Sequence, residues 1–379
     1  MAGIYIHIPF CKQACYYCDF HFSTSQKRKE ELLFAIHKEL KLRRNEFSNS
    51  TIDSIYFGGG TPSLLTKAEL SSLLDTIADN YQIGEHPEIT LEANPDDLNP
   101  NKLKELSTLS INRLSIGVQS FFDEDLIYMN RAHTAKESVK CIVDAQKHFN
   151  NITIDLIYGI PGLSIKRWKE NLKKTFELNI PHISSYALTV EKKTALYQFI
   201  KKGKREALSE ELALAHFELL VKETEKRGYK HYEISNFGKP TFFSKHNSAY
   251  WLGEKYLGIG PSAHTFNKKE RSWNIANNAI YIRKLMAGEL PNEIEKLSEK
   301  DMFNELLMTG LRTVWGVSYR NVENDFGMEI LKRLDTNSHV YVKNGLLKKE
   351  RNKNGDTILS TTKKGKFLAD GIASDLFLV

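Results

Sequence analysis

Gly3-Ile-Tyr-Ile-His-Ile-Pro-Phe-Cys11-Lys-Gln-Ala-Cys15-Tyr-Tyr-Cys18-Asp-Phe20 is the stretch on which the reading of this chain turns. Three of the four cysteines fall inside it, spaced C-x3-C-x2-C, a clustering that scattered structural cysteines do not show. The apolar run Ile4–Ile8 reads as a strand, and Pro9 closes it into a loop. Thiolates on a loop at a strand end can converge on one centre. A structural zinc site asks for four ligands, usually from two separated pairs, and no second pair follows. Cys141 stands alone at helical spacing, where a small buried side chain is the expected reading. A disulfide framework would leave one of three close cysteines unpaired. Three thiolates suit a [4Fe–4S] cluster whose fourth iron stays open.

At 379 residues the chain exceeds one average domain and predicts a large barrel plus a smaller appendage. A hydrophobic content of 41% supports a sizeable core. The N-terminus has no basic region followed by a long apolar segment, and no run approaches the ~18 apolar residues of a membrane span. The expected compartment is the cytoplasm, whose reducing conditions also suit a thiolate-held cluster. A net charge of +6 is modest for this size, so lysine runs such as Lys201-Lys-Gly-Lys-Arg205 read as solvated faces rather than a nucleic-acid site. A weak attraction to acidic membrane surfaces stays open.

Strand-like runs then recur at Ser54–Phe57, Glu88–Ala93, Arg113–Val118, Ile152–Ile157 and His182–Leu188. Helical patterns fill the gaps at about Lys27–Arg44, Lys67–Asn80, Pro100–Ser107, Ala135–Phe149 and Ile165–Leu178. Cap residues mark several starts, among them Thr66 with Glu69 and Asn99 before Pro100. Six β-α units in series predict a parallel sheet curled into an open, partial barrel. The polar and glycine-rich residues gather at the C-terminal strand ends, where such barrels place their reactive groups. Gly58-Gly-Gly-Thr-Pro62 follows the second strand, Glu92 ends the third and Gln119 follows the fourth. Asp155 lies in the fifth and Ala187 near the end of the sixth. The glycines suit a tight turn, or a backbone brought close to a ligand with its N–H groups free. A carboxylate at Glu92 could accept hydrogen bonds from a ribose or an ammonium group.

Taken with C-x3-C-x2-C after a first strand, these residues resemble the radical S-adenosylmethionine (SAM) superfamily. The strings Tyr5-Ile-His-Ile-Pro-Phe-Cys and Cys-Tyr-Tyr-Cys-Asp-Phe are similar to the coproporphyrinogen III oxidase-like group, and within it to a haem-chaperone branch. The resemblance implies a partial (β/α)6 radical SAM barrel. It implies Cys11, Cys15 and Cys18 as cluster ligands, and Gly59, Gly60, Thr61, Glu92, Tyr5 and Tyr17 around a SAM bound at the open iron. Gln119, Arg131, Asp155 and Ala187 match contacts to a second SAM in the oxidase, a role left open here against a shared structural one. No catalytic residue is assigned. In the oxidase a fourth cysteine follows the third by two residues. Phe20 stands there instead and points away from the oxidase, which remains the alternative, along with another tetrapyrrole-acting radical SAM enzyme.

Beyond the barrel, Leu208–Arg227 reads as a helix and Tyr229–Ile234 as a strand. His246-Asn-Ser-Ala-Tyr-Trp251 gathers polar and aromatic groups; its plain reading is a buried histidine among core aromatics. It resembles the haem-associated H-N-x-x-Y-W motif, which implies His246 as a haem contact. The expected divisions are a barrel over 1–235, a connecting region over 236–290 and a small C-terminal α+β domain over 291–379. In the last, Ser298 caps a helix over Glu299–Arg312. Asn321–Leu334 reads as two short helices, Leu346–Leu359 as a hairpin around Asn354-Gly355, and Thr362–Ala373 as a final helix. This layout resembles a winged helix. The expected partners are haem and haem-requiring acceptors such as respiratory enzymes, with a peripheral membrane contact and a homodimer left open.

Overall fold

The structure, a computed structural model, describes residues 2–379. Six strands run parallel in chain order: β1 (Ala2–Ile8), β2 (Ile52–Gly59), β3 (Ile83–Ala93), β4 (Arg113–Gln119), β5 (Ile152–Tyr158) and β6 (His182–Ala187). Alternation along β1 explains the two faces of this sheet. Ile4, Ile6 and Ile8 are fully buried, while the residues between them, such as Tyr5 and His7, take the other face and line the lumen. Each buried isoleucine contributes roughly 1.5–3 kcal/mol of transfer free energy. Between strands, the helices Lys67–Asn80 and Ala135–Ala145 each open on a complete capping box, Thr66 with Glu69 and Thr134 with Glu137.

The sheet extends further than the sequence reading placed it. Its full order runs through twelve strands. On the β6 side, β7 (Lys230–Glu233) and β8 (Asn236–Gly238) add antiparallel. On the other side β9 (Lys255–Ile259) lies parallel to β1, and β10 (His264–Phe266), β11 (Glu270–Asn274) and β12 (Asn292–Lys296) follow antiparallel. The division of the chain at 235 and 290 is therefore corrected. Residues 236–290 are not a connector but a wing of the barrel sheet, and that wing continues past Pro291. A buried carboxylate anchors it. Glu39, on the helix Lys29–Leu42, accepts from Tyr281 Oη (2.5 Å), Asn274 Nδ2 (2.7 Å), Gly260 N (2.9 Å) and Arg43 Nη1 (3.1 Å).

A second core, including Phe303, Leu307, Leu311, Val317, Leu347, Leu359 and Ile372, defines the C-terminal unit. Its first helix is Glu299–Leu311, with Ser298 and Asp301 in a capping box. The segment read as two short helices spans Tyr319–Lys343, broken where Gly327 takes a φ of +85°. β13 (Val317–Ser318), β15 (Thr357–Thr361) and β14 (Leu347–Arg351) make a small antiparallel sheet. The final helix is shorter than expected: a single 3-10 turn, Lys366–Leu368, precedes Ala369–Asp375. Among the described residues no helix is long and apolar enough to cross a membrane.

Candidate functional site

Pro9 ends β1, and the cysteine loop leaves from there. Its neck is closed by Ser23 N to Pro9 O (2.6 Å) and Cys11 N to Ser23 O (3.1 Å). Its far side is tied to the short helix Asp123–Met129, which the sequence reading missed, and to the residue that caps it. Tyr16 N donates to Met129 O (3.1 Å), and Asn130 Nδ2, at a left-handed φ of 60°, donates to Ala14 O (2.7 Å). The neck stands at the C-terminal end of β1 and the far anchor on the segment that follows β4, so the loop spans the mouth. Cys11, Cys15 and Cys18 are free thiols and half-buried on it, while Cys141 is buried in the helix Ala135–Ala145.

Two of the three sulfurs meet polar side chains. Thr61 Oγ1 lies 3.5 Å from Cys11 Sγ, and Arg131 Nη1 lies 3.3 Å from Cys15 Sγ. Burial pushes the Cys18 thiol up to about 12, with the neighbouring thiols adding to the rise, and it raises Cys11 as well. Among the described residues no three His, Cys, Asp or Glu side chains stand at metal-holding distances. The donor chemistry nonetheless fits an iron–sulfur centre: three unpaired thiols share one loop, and a guanidinium faces one of them. Binding to iron replaces the thiol proton and removes the cost that burial puts on the thiolate.

Under the loop lies the acidic part of the lumen. Glu92 accepts from Tyr56 Oη (2.8 Å) and from Gly59 N (3.2 Å). Burial raises its carboxyl to about 7; Asp155 adds to the rise and Tyr56 opposes it. Asp155, near Ser115 (3.4 Å), is raised by burial to about 6. Tyr5 pairs with Tyr56 across β1 and β2, their rings 6.1 Å apart. Tyr17 reaches Arg131 at 3.5 Å. Gln119 turns off the end of β4 at a φ of 64°, and Ala187 closes β6 opposite Tyr158.

The glycines are packed closely against β1 and the start of the cysteine loop. A Cβ on Gly60 would lie 2.7–2.9 Å from backbone atoms of Phe10 and Ile8, and one on Gly59, at φ +107°, 2.5 Å from the His7 ring. Gly60 is thus held against the end of β1 and the residue that leads into the cysteine loop, and Gly59 against a side chain of β1. Reading the residues singly also missed Asn94 and Gly117. Asn94 accepts from Arg131 Nη2 (2.5 Å), and Gly117 accepts from it through its carbonyl (3.0 Å).

His246 lies elsewhere. Ser244 caps the helix Lys245–Trp251, Ser244 Oγ and His246 N both donate to Glu88 Oε1, and the helix sits under the N-terminal ends of β1 and β2. His246 Nδ1 and Ser54 Oγ are hydrogen-bonded (2.9 Å), and the ring stacks on Tyr56 at 5.0 Å. Burial lowers it to about 4. The structure therefore gathers the thiols, Tyr17, Gly59, Gly60, Thr61, Gln119, Arg131 and Ala187 toward the barrel mouth, leaves Tyr5, Glu92 and Asp155 deeper in the lumen, and puts His246 in the floor with its ring 6.5 Å from that of Tyr5. A polar cavity of about 50 Å³, lined by residues including Glu92, Arg113 and Asp155, lies within the lumen. Trp251 is covered by Arg312 of the C-terminal unit at 5.1 Å, and Tyr250 is 46% exposed.

A family model described as the Radical SAM superfamily matches residues 5–175, and one described as the HemN C-terminal domain matches residues 297–368. The haem chaperone HemW of Lactococcus lactis is 37% identical over 325 residues, covering 85% of this chain and 84% of its own. HemW of Bacillus subtilis is 34% identical over 335 residues, covering 87% and 88%. The solved coproporphyrinogen III oxidase HemN of Escherichia coli, described as a radical SAM enzyme, superposes with a TM-score of 0.84 at 22% identity. It covers 99% of this chain and 90% of that one, a likeness of fold.

Proposed function

The chain belongs to the radical SAM superfamily, in the HemN-like group that includes the HemW haem chaperones, and from that premise we propose that it binds haem and hands it to haem-requiring proteins. In this reading Cys11, Cys15 and Cys18 hold a [4Fe–4S] cluster with SAM beside it. The observation that carries it is the coincidence at one barrel mouth of three free thiols, a guanidinium and a lumenal carboxylate near neutrality. A cluster held by these three thiolates would supply one-electron reducing chemistry toward SAM. The chain's own groups then orient that ligand. Thr61 and the Gly59–Gly60 backbone edge the site, Glu92 accepts from a ribose or an ammonium group, and Tyr5 and Tyr17 wall it. Gln119, Arg131, Asp155 and Ala187 flank the same space and are the candidates for a second SAM. Acceptors would be haem-dependent enzymes, respiratory ones among them.

His246 is proposed as a haem ligand through Nε2, since Nδ1 is engaged by Ser54, and a fixed partner on one imidazole nitrogen orients the other for a metal. Phe20, 67% exposed beyond the third cysteine, has neither a thiol nor an exchangeable proton, which weighs against oxidase chemistry. The test is anaerobic reconstitution followed by haem titration and product analysis with coproporphyrinogen III, SAM and a reductant. The expected result is a haem complex and no decarboxylation. Protoporphyrinogen IX formation with SAM consumption would overturn the chaperone reading. His246→Ala should weaken the complex or change its Soret band at unchanged iron–sulfur content, and an unaltered spectrum would remove the ligand assignment alone.

A further inference from the structure

We propose that Arg131 is a positioning residue that ties two of the three cluster sulfurs to the barrel and makes the cluster easier to reduce. This rests on the assignment of the cluster to Cys11, Cys15 and Cys18. Arg131 Nη1 donates to Cys15 Sγ (3.3 Å) and reaches Tyr17 Oη (3.5 Å), and Nη2 donates to Asn94 Oδ1 (2.5 Å) and Gly117 O (3.0 Å). The chain of contacts continues. Asn94 Nδ2 donates to Thr61 Oγ1 (3.1 Å), and Thr61 Oγ1 donates to Cys11 Sγ (3.5 Å). One guanidinium thus stands at the head of a relay that ends on two ligand sulfurs, built from residues after β2, β3 and β4.

The acceptors explain what this relay can do. Arg131 hydrogen-bonds a sulfur, a phenol, an amide oxygen and a backbone carbonyl, and none of these is a carboxylate. Asp155 feels its charge only at longer range, and Cys15 is the thiol it touches. Glycine at 117 is part of the device, because a Cβ there would lie 3.2 Å from Arg131 Nη2 and 2.9 Å from Gln119 Nε2. Reduction adds one negative charge to a thiolate-held cluster, and a cationic donor on a ligand sulfur stabilises that added charge. A charge-assisted bond is about twice as strong as a neutral one, so Cys15 should feel this donor more than Cys11 feels Thr61.

The experiment reconstitutes the wild type, Arg131→Gln, Arg131→Lys and Asn94→Ala anaerobically, measures iron and sulfide, and then determines the cluster's midpoint potential by a titration followed by electron paramagnetic resonance. Arg131→Gln, which keeps hydrogen bonding but loses the charge, should be about ten-fold harder to reduce, about 59 mV more negative for a one-electron couple. Arg131→Lys should recover part of that, since the charge returns without the planar fork. Asn94→Ala keeps the cation but releases its anchor, so a smaller shift of the same sign is expected. A wild-type potential in Arg131→Gln at full iron content would overturn the proposal. If Arg131→Gln loses its cluster, wild-type potentials in both Arg131→Lys and Asn94→Ala would do so. A wild-type protein that takes up no iron would instead remove the ligand set, and the proposal with it.

Discussion

Cys141 and the three loop cysteines share a side chain and differ in everything around it. Cys141 is 3% exposed in the helix Ala135–Ala145, away from the cysteine loop, so it serves as packing. Cys11, Cys15 and Cys18 are half-buried and unpaired at the barrel mouth. Alanine at any of those three should abolish bound iron after reconstitution. Cys141→Ala should keep full iron at a stability cost of about 1 kcal/mol. Iron and sulfide assays with thermal melts check this, and iron loss in Cys141→Ala as severe as in the others would break the ligand set. Spacing made the three ligands legible. Arg131 was legible only by likeness, and Asn94 not at all, because nothing in a lone Asn before Pro95 says that a guanidinium from a distant segment will arrive there.

The cysteine loop and the Gly58–Thr61 turn behave as one element. Gly60 N donates to Ile8 O (2.9 Å), and the space for a Gly60 side chain is taken by the backbone of Phe10, one residue before Cys11. Gly60→Val must therefore push the loop off the end of β2. It should lose iron as well as SAM affinity, a double loss that sets it apart from a substitution touching only the ligand. Iron content and calorimetric SAM binding on the same preparation decide it; full iron with weakened SAM would return the glycine to a direct ligand contact. Helix starts were readable because a cap is a local hydrogen bond, as at Thr66, Thr134 and Ser298. The helix Asp123–Met129 was not, since its seven residues are too few for a periodic pattern.

Across the whole molecule, buried histidines dominate the response to acid. His7, His133, His216 and His246 are each lowered to about 4 and His231 to about 3, in every case chiefly by burial. A histidine lowered from about 6.5 on folding adds stability that is complete above pH 6.5. That stability is lost as pH falls toward 4, because the unfolded chain takes up protons that the folded one refuses. Glu92 and Asp155, raised to about 7 and about 6, act in the opposite sense and lose their contribution as pH rises through those values. His37, His182 and His264 are lowered by burial too, and Asp97, Asp125, Glu233 and Glu305 are raised by it. Eight histidines thus oppose six acids, and the melting temperature should fall between pH 7 and pH 5. A rise over that interval in anaerobic melts would mean that the carboxyls dominate.

Local information carried the parallel β-α succession, the caps and the cysteine spacing, because each is written within one or two turns of chain. Likeness to a known family, resting on those same strings, supplied the radical SAM identity of the barrel and the expected cofactors. Tertiary structure decided what depends on residues far apart in sequence. β9 joins β1 from more than 240 residues downstream, a wing closes over the buried Glu39, and Arg131 meets Cys15 across 116 positions. His246 was placed the same way. Its motif was visible, but only the packing of the helix Lys245–Trp251 beneath β1 and β2 shows it to be the floor of the barrel rather than its mouth. Strand pairing and buried polar contacts are satisfied by whichever partner the folded chain brings near, and that choice is not written in any single segment.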